Sequence, residues 1–243
     1  MKNYYTKLGV NIDHIATLRN ARNDGYLDIL KVVELLKEHG VDSITVHLRE
    51  DRRHIKDADV LVLKEKNILP LNLEMGPTIE MRNICLEIKP FACCIVPENR
   101  EELTTEGGLD VIKKFDDLKK IIDPIKSNNT RISLFIEPNI EQIKAAKTLG
   151  ASAIEIHTGK FANEFINGNH DVELKKINLA ANFAVDNGLE CHAGHGLNFT
   201  NVLSIIQNKN IVELNIGYFI VSQSIFDGLG TVIKKFNKIR KYS

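Results

Sequence analysis

Short stretches in which apolar and polar residues alternate recur along the chain. In the stretch SITVHL, residues 43–48, every second side chain is apolar. A period of two is typical of β-strands that bury one face. The pattern predicts eight strands, at residues 8–13, 43–48, 69–74, 92–96, 131–136, 152–157, 189–193 and 211–216.

Segments with apolar residues at helical spacing separate most of these strands. They predict helices at residues 27–40, 110–129, 140–150 and 171–188, three of which end on glycine, a frequent residue at helix C-termini. Strands that alternate with helices indicate parallel βαβ units, and eight units favour a closed (β/α)8 barrel, the TIM barrel. A doubly wound open sheet is the alternative. No linker or low-complexity tract divides the sequence, so we expect one domain over residues 1–243.

The polar faces of the predicted strands carry residues that a barrel interior seldom holds. Asn11 and Asp13 share one face of the first strand, Glu155 and His157 share one face of the sixth, and Glu213 and Asn215 share one face of the last. The apolar faces must pack on helices, so these side chains should point into the barrel. Burying them costs several kcal/mol unless they are hydrogen-bonded or shift their pKa values. They form either a structural network or a reaction centre, and acids beside imidazoles favour the second interpretation.

Polar residues also mark the carboxyl ends of the strands, where barrel enzymes hold their active sites. These ends read Asp13-His14, His47 with Arg49, Glu74, Glu98, Glu137, His157, Gly194-His195-Gly196 and Gly217. A lone buried histidine is more often a packing residue. His47, however, should lie level with Glu74 on the next strand, and such a pair suits general acid–base catalysis.

The chain has 32 Lys plus Arg and 32 Asp plus Glu, so its formal net charge is +0. Any anion-binding site must therefore come from a local arrangement of donors and not from an overall positive charge. That balance gives no indication of a nucleic-acid or membrane partner. Arg49 and His54 are candidate phosphate ligands. Gly196 and Gly217 follow the seventh and eighth strands, the common phosphate site of barrel enzymes. A tight turn is the structural alternative for the glycines.

The cysteines and histidines show no metal-site spacing, so we predict no metal. Cys85, Cys93, Cys94 and Cys191 are expected to be reduced packing residues. The N-terminal residues have no apolar signal-peptide core, and no apolar run has bilayer-spanning length. The sequence therefore predicts a cytoplasmic protein.

The whole chain resembles one enzyme family, the pyridoxine 5′-phosphate synthases of vitamin B6 biosynthesis. The stretches that carry the resemblance are GVNIDHIATLRNAR (9–22), ITVHLREDRRHI (44–55), NLEM (72–75), CCIVPE (93–98), LTTEGGLDV (103–111), SLFIE (133–137), EQIKAAKTLGA (141–151), IEIHTG (154–159), AGHGL (193–197) and ELNIG (213–217). They include all eight predicted strand ends.

The resemblance implies a TIM barrel with extra helices that assembles as a homo-oligomer, expected to be an octamer. It implies condensation of 1-deoxy-D-xylulose 5-phosphate with 3-amino-2-oxopropyl phosphate to pyridoxine 5′-phosphate, phosphate and water, without a cofactor or metal. In the family pattern, His47, Glu74 and His195 match the acid–base residues, and Glu155 matches a carboxylate that stabilises a transition state. Asn11, Arg22, Gly196, Gly217 and Tyr218 match the amino-ketone phosphate site. Asp13, His14, Arg49, His54 and Thr104 match the deoxyxylulose phosphate site.

Two positions depart from the family pattern. Tyr218 stands where histidine is usual, and His192 stands where asparagine is common; His192 could be a pH-sensitive neighbour of His195. The alternatives to a synthase are another phosphosugar isomerase or aldolase and a barrel that only binds a phosphorylated metabolite. A Schiff-base aldolase would need a lysine at a strand end, where none is predicted. A binding protein would not need both His47 and Glu74.

Overall fold

Eight parallel strands close into a barrel in chain order, which confirms the predicted (β/α)8 fold. The computed structural model describes residues 5–22, 25–98 and 107–241. The strands are β1 (Lys7–Asn11), β2 (Ser43–His47), β3 (Leu71–Met75), β4 (Ala92–Ile95), β5 (Arg131–Ile136), β6 (Ala153–His157), β7 (Glu190–Gly194) and β8 (Ile211–Ile216). Strand β1 pairs with both β2 and β8, which closes the sheet.

The helices surround this barrel. They are α1 (Asp13–Arg22), α2 (Ile29–Glu38), α3 (Asp57–Lys66), α4 (Ile79–Ile88), α5 (Phe115–Lys126), α6 (Ile140–Leu149), α7 (Gly159–Ile166), α8 (Asp171–Asp186), α9 (Val202–Ile206), α10 (Tyr218–Asp227) and α11 (Leu229–Lys241). More helices than strands occur in the described residues, in line with the expected extra helices.

Two local differences from the predicted bounds have clear causes. Strand β1 stops at Asn11 because its side-chain oxygen accepts a hydrogen bond from the Asp13 N–H at 2.9 Å, which turns the chain into α1. Helix α5 starts at Phe115 rather than at residue 110. The preceding backbone is held on α6 instead, where Gln142 accepts from the Val111 N–H at 2.7 Å.

The apolar strand faces pack against the helices. Val10, Val46 and Ile154, each on a different strand, have no exposed surface. The opposite faces fill the barrel with polar side chains, as predicted from strand parity. These side chains bond to each other: Asn72 donates to Thr45 at 3.3 Å, and Thr45 donates to Asn215 at 3.2 Å.

A charged network occupies the amino end of the barrel. Arg131 pairs with Glu190 at 2.7 Å and with Glu213 at 3.3 Å. His192 lies 3.3 Å from the same Glu190 carboxylate. His192 thus faces the interior as predicted, but its charged partner lies in this layer, at the end opposite to the pocket described below.

None of the helices in the described ranges combines the length and the apolar content that crossing a bilayer requires. All four cysteines are buried and free.

Candidate active site

A cavity of about 460 Å³ opens at the carboxyl ends of the strands. Its volume is in the range of small-molecule sites. The cavity collects most of the predicted site residues: Asn11, Asp13, His14, His47, Arg49, His54, Glu74, Glu155, His195, Gly196, Gly217 and Tyr218. Arg22, the last residue of α1, is exposed and does not line the cavity. Thr104 lies outside the described residues.

His47 and Glu74 face each other across neighbouring strands. The register of β2 and β3 places them side by side, as the sequence predicts. Asp13 accepts a hydrogen bond from the backbone N–H of His47 at 2.8 Å and from the Asn11 side chain at 3.0 Å. The Asn11 amide also reaches Glu74 at 3.5 Å. These contacts gather an imidazole and two carboxyl groups at one wall of the cavity.

Burial raises the pKa of Glu74 well above its usual range, and the carboxylates of Glu155 and Asp13 raise it further. Burial likewise raises the pKa of Glu155 to about 8, although Asn215 donates to that carboxyl at 2.7 Å. Glu155 can therefore exchange a proton near neutral pH, and the raised pKa of Glu74 favours its protonated form. Proton-transfer catalysts have this property.

His195 lies on the opposite side of the cavity, at the turn after β7. Its φ of +79° places a non-glycine residue in the left-handed region. Thr158 holds this turn because its single hydroxyl proton is shared between the carbonyl oxygens of Gly194 and His195, which lie 2.7 and 2.6 Å from its Oγ1 atom. The ring is open to the cavity on one side. The protein packed around its other side, followed by His157, lowers the pKa of His195 to about 4.

Two groups of anion-binding donors lie at the rim. Arg49 is buried, and its Nε atom is 3.9 Å from carboxylate oxygens of Asp51 and Glu98. His54 is near His14, with 5.7 Å between ring centroids, and burial lowers its pKa. Together Arg49 and these two imidazoles, each of which can donate an N–H group, form the first group.

The second group consists of backbone N–H groups. Gly217 caps α10, whose first-turn N–H groups have no partner inside the helix. A side chain at Gly217 would put its Cβ 2.8 Å from the Asn11 Cβ, so glycine is needed for this close approach. Tyr218 follows it and packs edge-on against His14, with centroids 5.1 Å apart. Helix N-termini of this kind favour phosphate groups.

Asp13, His47 and Glu74 can also offer one metal-ligand atom each, and these atoms lie within 4.8 Å of one another. In the structure Asp13 accepts hydrogen bonds from His47 and Asn11, and the raised pKa of Glu74 favours its uncharged form. Carboxylate ligands must be deprotonated, so a metal ion at this position would compete with the proton on Glu74.

Several residues of the site received no role from sequence. Glu98, Glu137 and His157 were recognised only as strand ends, and Asn215 only as part of a polar face. Glu98 approaches the Nε2 atom of His47 at 3.4 Å and accepts from the Glu50 N–H at 2.8 Å. Burial alone would raise the pKa of Glu98, but these hydrogen bonds lower it overall. The strand-end position was the available signal.

Comparison with known proteins points to one family. The family model described as "Pyridoxal phosphate biosynthesis protein PdxJ" matches residues 8–241. A pyridoxine 5′-phosphate synthase from Sulfurihydrogenibium sp. is 51% identical over 237 residues, covering 96% of this chain and 97% of that protein. A pyridoxine 5′-phosphate synthase from Ehrlichia chaffeensis is 48% identical over 231 residues, covering 95% of each chain.

Solved structures with low sequence identity share the fold alone. Phosphoribosyl anthranilate isomerase from Thermotoga maritima superimposes with a TM-score of 0.61 at 13% identity, covering 98% of this chain and 100% of that one. These structures therefore do not support the alternative that the chain is another isomerase or an aldolase.

Proposed function

The chain belongs to the PdxJ family of pyridoxal phosphate biosynthesis proteins, and we propose that the cavity at the carboxyl ends of its strands is the site where it forms pyridoxine 5′-phosphate. The chain is an enzyme of vitamin B6 synthesis, a pyridoxine 5′-phosphate synthase. Its proposed substrates are 1-deoxy-D-xylulose 5-phosphate and 3-amino-2-oxopropyl phosphate. Both carry a phosphate, and the cavity has two groups of anion donors.

The proposed chemistry is a sequence of proton transfers. The amine of one substrate condenses with a ketone of the other and releases water; one phosphate then leaves, and ring closure by carbon–carbon bond formation brings the net loss to one phosphate and two waters. Each step moves protons on and off carbon, oxygen or nitrogen. His47 and Glu74 are the proposed proton carriers on one wall, and His195 is the carrier on the other. Glu155, buried between them at the floor, is the proposed stabiliser of the charge that develops.

The phosphate assignments follow the two donor groups. Arg49, His54 and His14 are proposed to hold the phosphate of deoxyxylulose phosphate, with Asp13 and Thr104 completing the site for that substrate. Gly196, Gly217 and Tyr218 are proposed to hold the amino-ketone phosphate, together with Asn11; Arg22, which does not line the cavity in this structure, belongs to the same predicted site. Since α10 begins at Tyr218, the backbone N–H groups there would bind phosphate whatever side chain follows the glycine.

One observation carries the proposal: the partly buried carboxyl of Glu74 lines the cavity beside His47, and its pKa is raised well above the usual range. We would supply both substrates in chelator-treated buffer and follow phosphate release together with pyridoxine 5′-phosphate formation. Equal appearance of the two products, lost in Glu74→Gln, is expected. Phosphate release without ring formation would contradict the proposed closure chemistry. Binding of both substrates without turnover would instead support the metabolite-binding alternative.

The proposal includes assembly into a homo-oligomer, with eight subunits as the expected size. Large apolar side chains are exposed on α1 and α10: Leu18 is 63% exposed, Ile225 76% and Phe226 82%. Exposed apolar groups on adjoining helices are typical of subunit contacts. Light scattering of the wild type and of Phe226→Ser tests this, because a smaller particle is expected for the variant.

The proposed compartment is the cytoplasm, and the proposed organisation is a single domain over residues 1–243. Four buried free cysteines are compatible with a reducing compartment.

A further inference from the structure

A carboxylate and an imidazole that have no role in the chemistry above lie directly behind His195. Glu137 follows β5, and its Oε1 atom is 2.7 Å from the Nδ1 atom of His157, the last residue of β6. The same oxygen accepts from the Gly108 N–H at 2.8 Å. The hydrogen bond from His157 lowers the pKa of Glu137, so this carboxylate is ionised near neutral pH. An ionised carboxylate only accepts hydrogen bonds, so Nδ1 of His157 must carry a proton.

The other side of the His157 ring is packed against His195. The ring centroids are 4.9 Å apart with 62° between the planes, an edge-to-face arrangement. His157 is 8% exposed, and its Nε2 atom has no hydrogen-bond partner in the part of the chain that the structure describes. The ring is therefore fixed by Glu137 and by packing alone.

Gly159 shows how tight this packing is. A Cβ atom there would lie 2.6 Å from Nε2 of His157 and 2.9 Å from Cδ2 of His195. Phe135 closes the same side, 5.1 Å from the His157 ring. The backbone of His195 is in the left-handed region, so its side chain depends on such contacts for its direction.

We propose that His157, oriented by Glu137, is a positioning residue that holds the imidazole of His195 toward the cavity. This inference rests on the proposed role of His195 as a proton carrier. His157 acts through His195 and does not line the cavity. Misplacing a catalytic group by about 1 Å can cost about 100-fold in rate, so the support behind His195 is expected to be visible in kcat.

The test compares His157→Phe with His170→Phe. The first change keeps an aromatic ring beside His195 but removes the Nδ1 donor to Glu137. His170 packs against Phe165 on the outer helices, with ring centroids 4.4 Å apart, and gives the matched control. We expect kcat of His157→Phe to fall about tenfold with KM changed less than about twofold, because substrate binding is left intact. Glu137→Gln is expected to reduce kcat in the same direction, and His170→Phe is expected to leave it unchanged.

NMR of protein labelled with 15N in its histidine rings reports directly on the environment and the pKa of the His195 ring. A role of His157 in stability alone would not change these two properties. The His195 signals, assigned by their loss in His195→Gln, should shift in His157→Phe, and the pKa of His195 should rise because the His157 ring, which helps to lower it, is gone. The same signals should stay in place in His170→Phe. Unchanged kcat and unchanged His195 signals in His157→Phe would overturn the inference, and so would a loss of kcat matched by a loss of folded protein. If the wild type made no product, the proposed function would fail, while the NMR comparison would still decide the packing role.

Discussion

Replacing Glu74 by glutamine separates the role of its carboxyl group in catalysis from the effect of that group on the stability of the fold. The substitution keeps the shape of the side chain and an oxygen that the Asn11 amide can reach. It removes the group that takes and returns protons. Positioned acid–base groups contribute about 100- to 10,000-fold, so kcat should fall by that factor, or about 3 to 5.5 kcal/mol of activation free energy.

The same substitution should stabilise the protein at alkaline pH. Burial, and then Glu155 and Asp13, raise the folded-state pKa of Glu74 well above its usual range. The folded state thus keeps a proton that the unfolded chain releases, and stability falls as pH rises from the unfolded-state pKa through the folded-state pKa. Glutamine cannot ionise, so the variant does not lose stability at high pH in this way. The variant should equal the wild type at low pH and exceed it at high pH, by about 1.4 kcal/mol for each unit of pKa difference.

Urea unfolding at about pH 4 and about pH 8, with kinetics of both products, measures the two effects. Glu173→Gln is the matched control. Glu173 is buried on α8, where burial would raise its pKa, but Lys176 at 2.7 Å and Lys160 at 2.9 Å lower it overall. That variant should lose stability at about pH 8 and keep its activity. A Glu74→Gln protein that stays active, or that is less stable at high pH, would refute the reasoning.

Three further changes test other parts of the structure. Gly194→Ala places a Cβ 2.2 Å from a Glu155 oxygen, so the Glu155 carboxyl must move. Kinetic assays should show kcat reduced about 100-fold, and an unchanged kcat would contradict the proposed role of Glu155 at the floor of the cavity. Asp13→Asn removes a charge that raises the pKa of Glu74. The acidic limb of the pH profile of kcat should therefore move to lower pH, and a move to higher pH would contradict this effect of Asp13 on Glu74. Arg240→Ala removes the buried guanidinium of α11 that pairs with the partly buried carboxylate of Asp42, which also accepts from the Leu8 N–H of β1. Urea titration should show a loss of stability of about 3 kcal/mol, and an unchanged stability would exclude a stabilising role for the pair.

The barrel and the polar lining could be predicted because both follow from local patterns. Strand parity has a period of two, so Glu155 and Asn215 were assigned to an interior face before any pairing was known. The level placement of His47 and Glu74 followed from adjacency of β2 and β3, and the register confirms it. Family resemblance supplied the roles, which remain predictions for the individual residues.

The contacts that could not be predicted depend on register and backbone geometry over several strands. The Glu137–His157–His195 series joins the ends of β5, β6 and β7, and its packing requires the left-handed φ of His195. No short-range pattern encodes such an angle at a non-glycine residue. The partner of His192 was missed for a similar reason, since Glu190, two residues earlier, was assigned only to the predicted strand at residues 189–193.

The polar interior is also what gives the carboxyl groups their chemistry. Hydrogen bonds run in one direction through the barrel, from Asn72 to Thr45, from Thr45 to Asn215 and from Asn215 to Glu155. The Asn215 side-chain amide donates to the Glu155 carboxyl and lowers its pKa. Burial and the charge of Glu213 raise the same pKa and so favour the protonated form. Arg131 pairs with Glu213 at the amino end and so limits this repulsion. Burial and Glu213 thus raise the pKa of the Glu155 carboxyl while the Asn215 hydrogen bond lowers it, and the balance places this pKa at about 8.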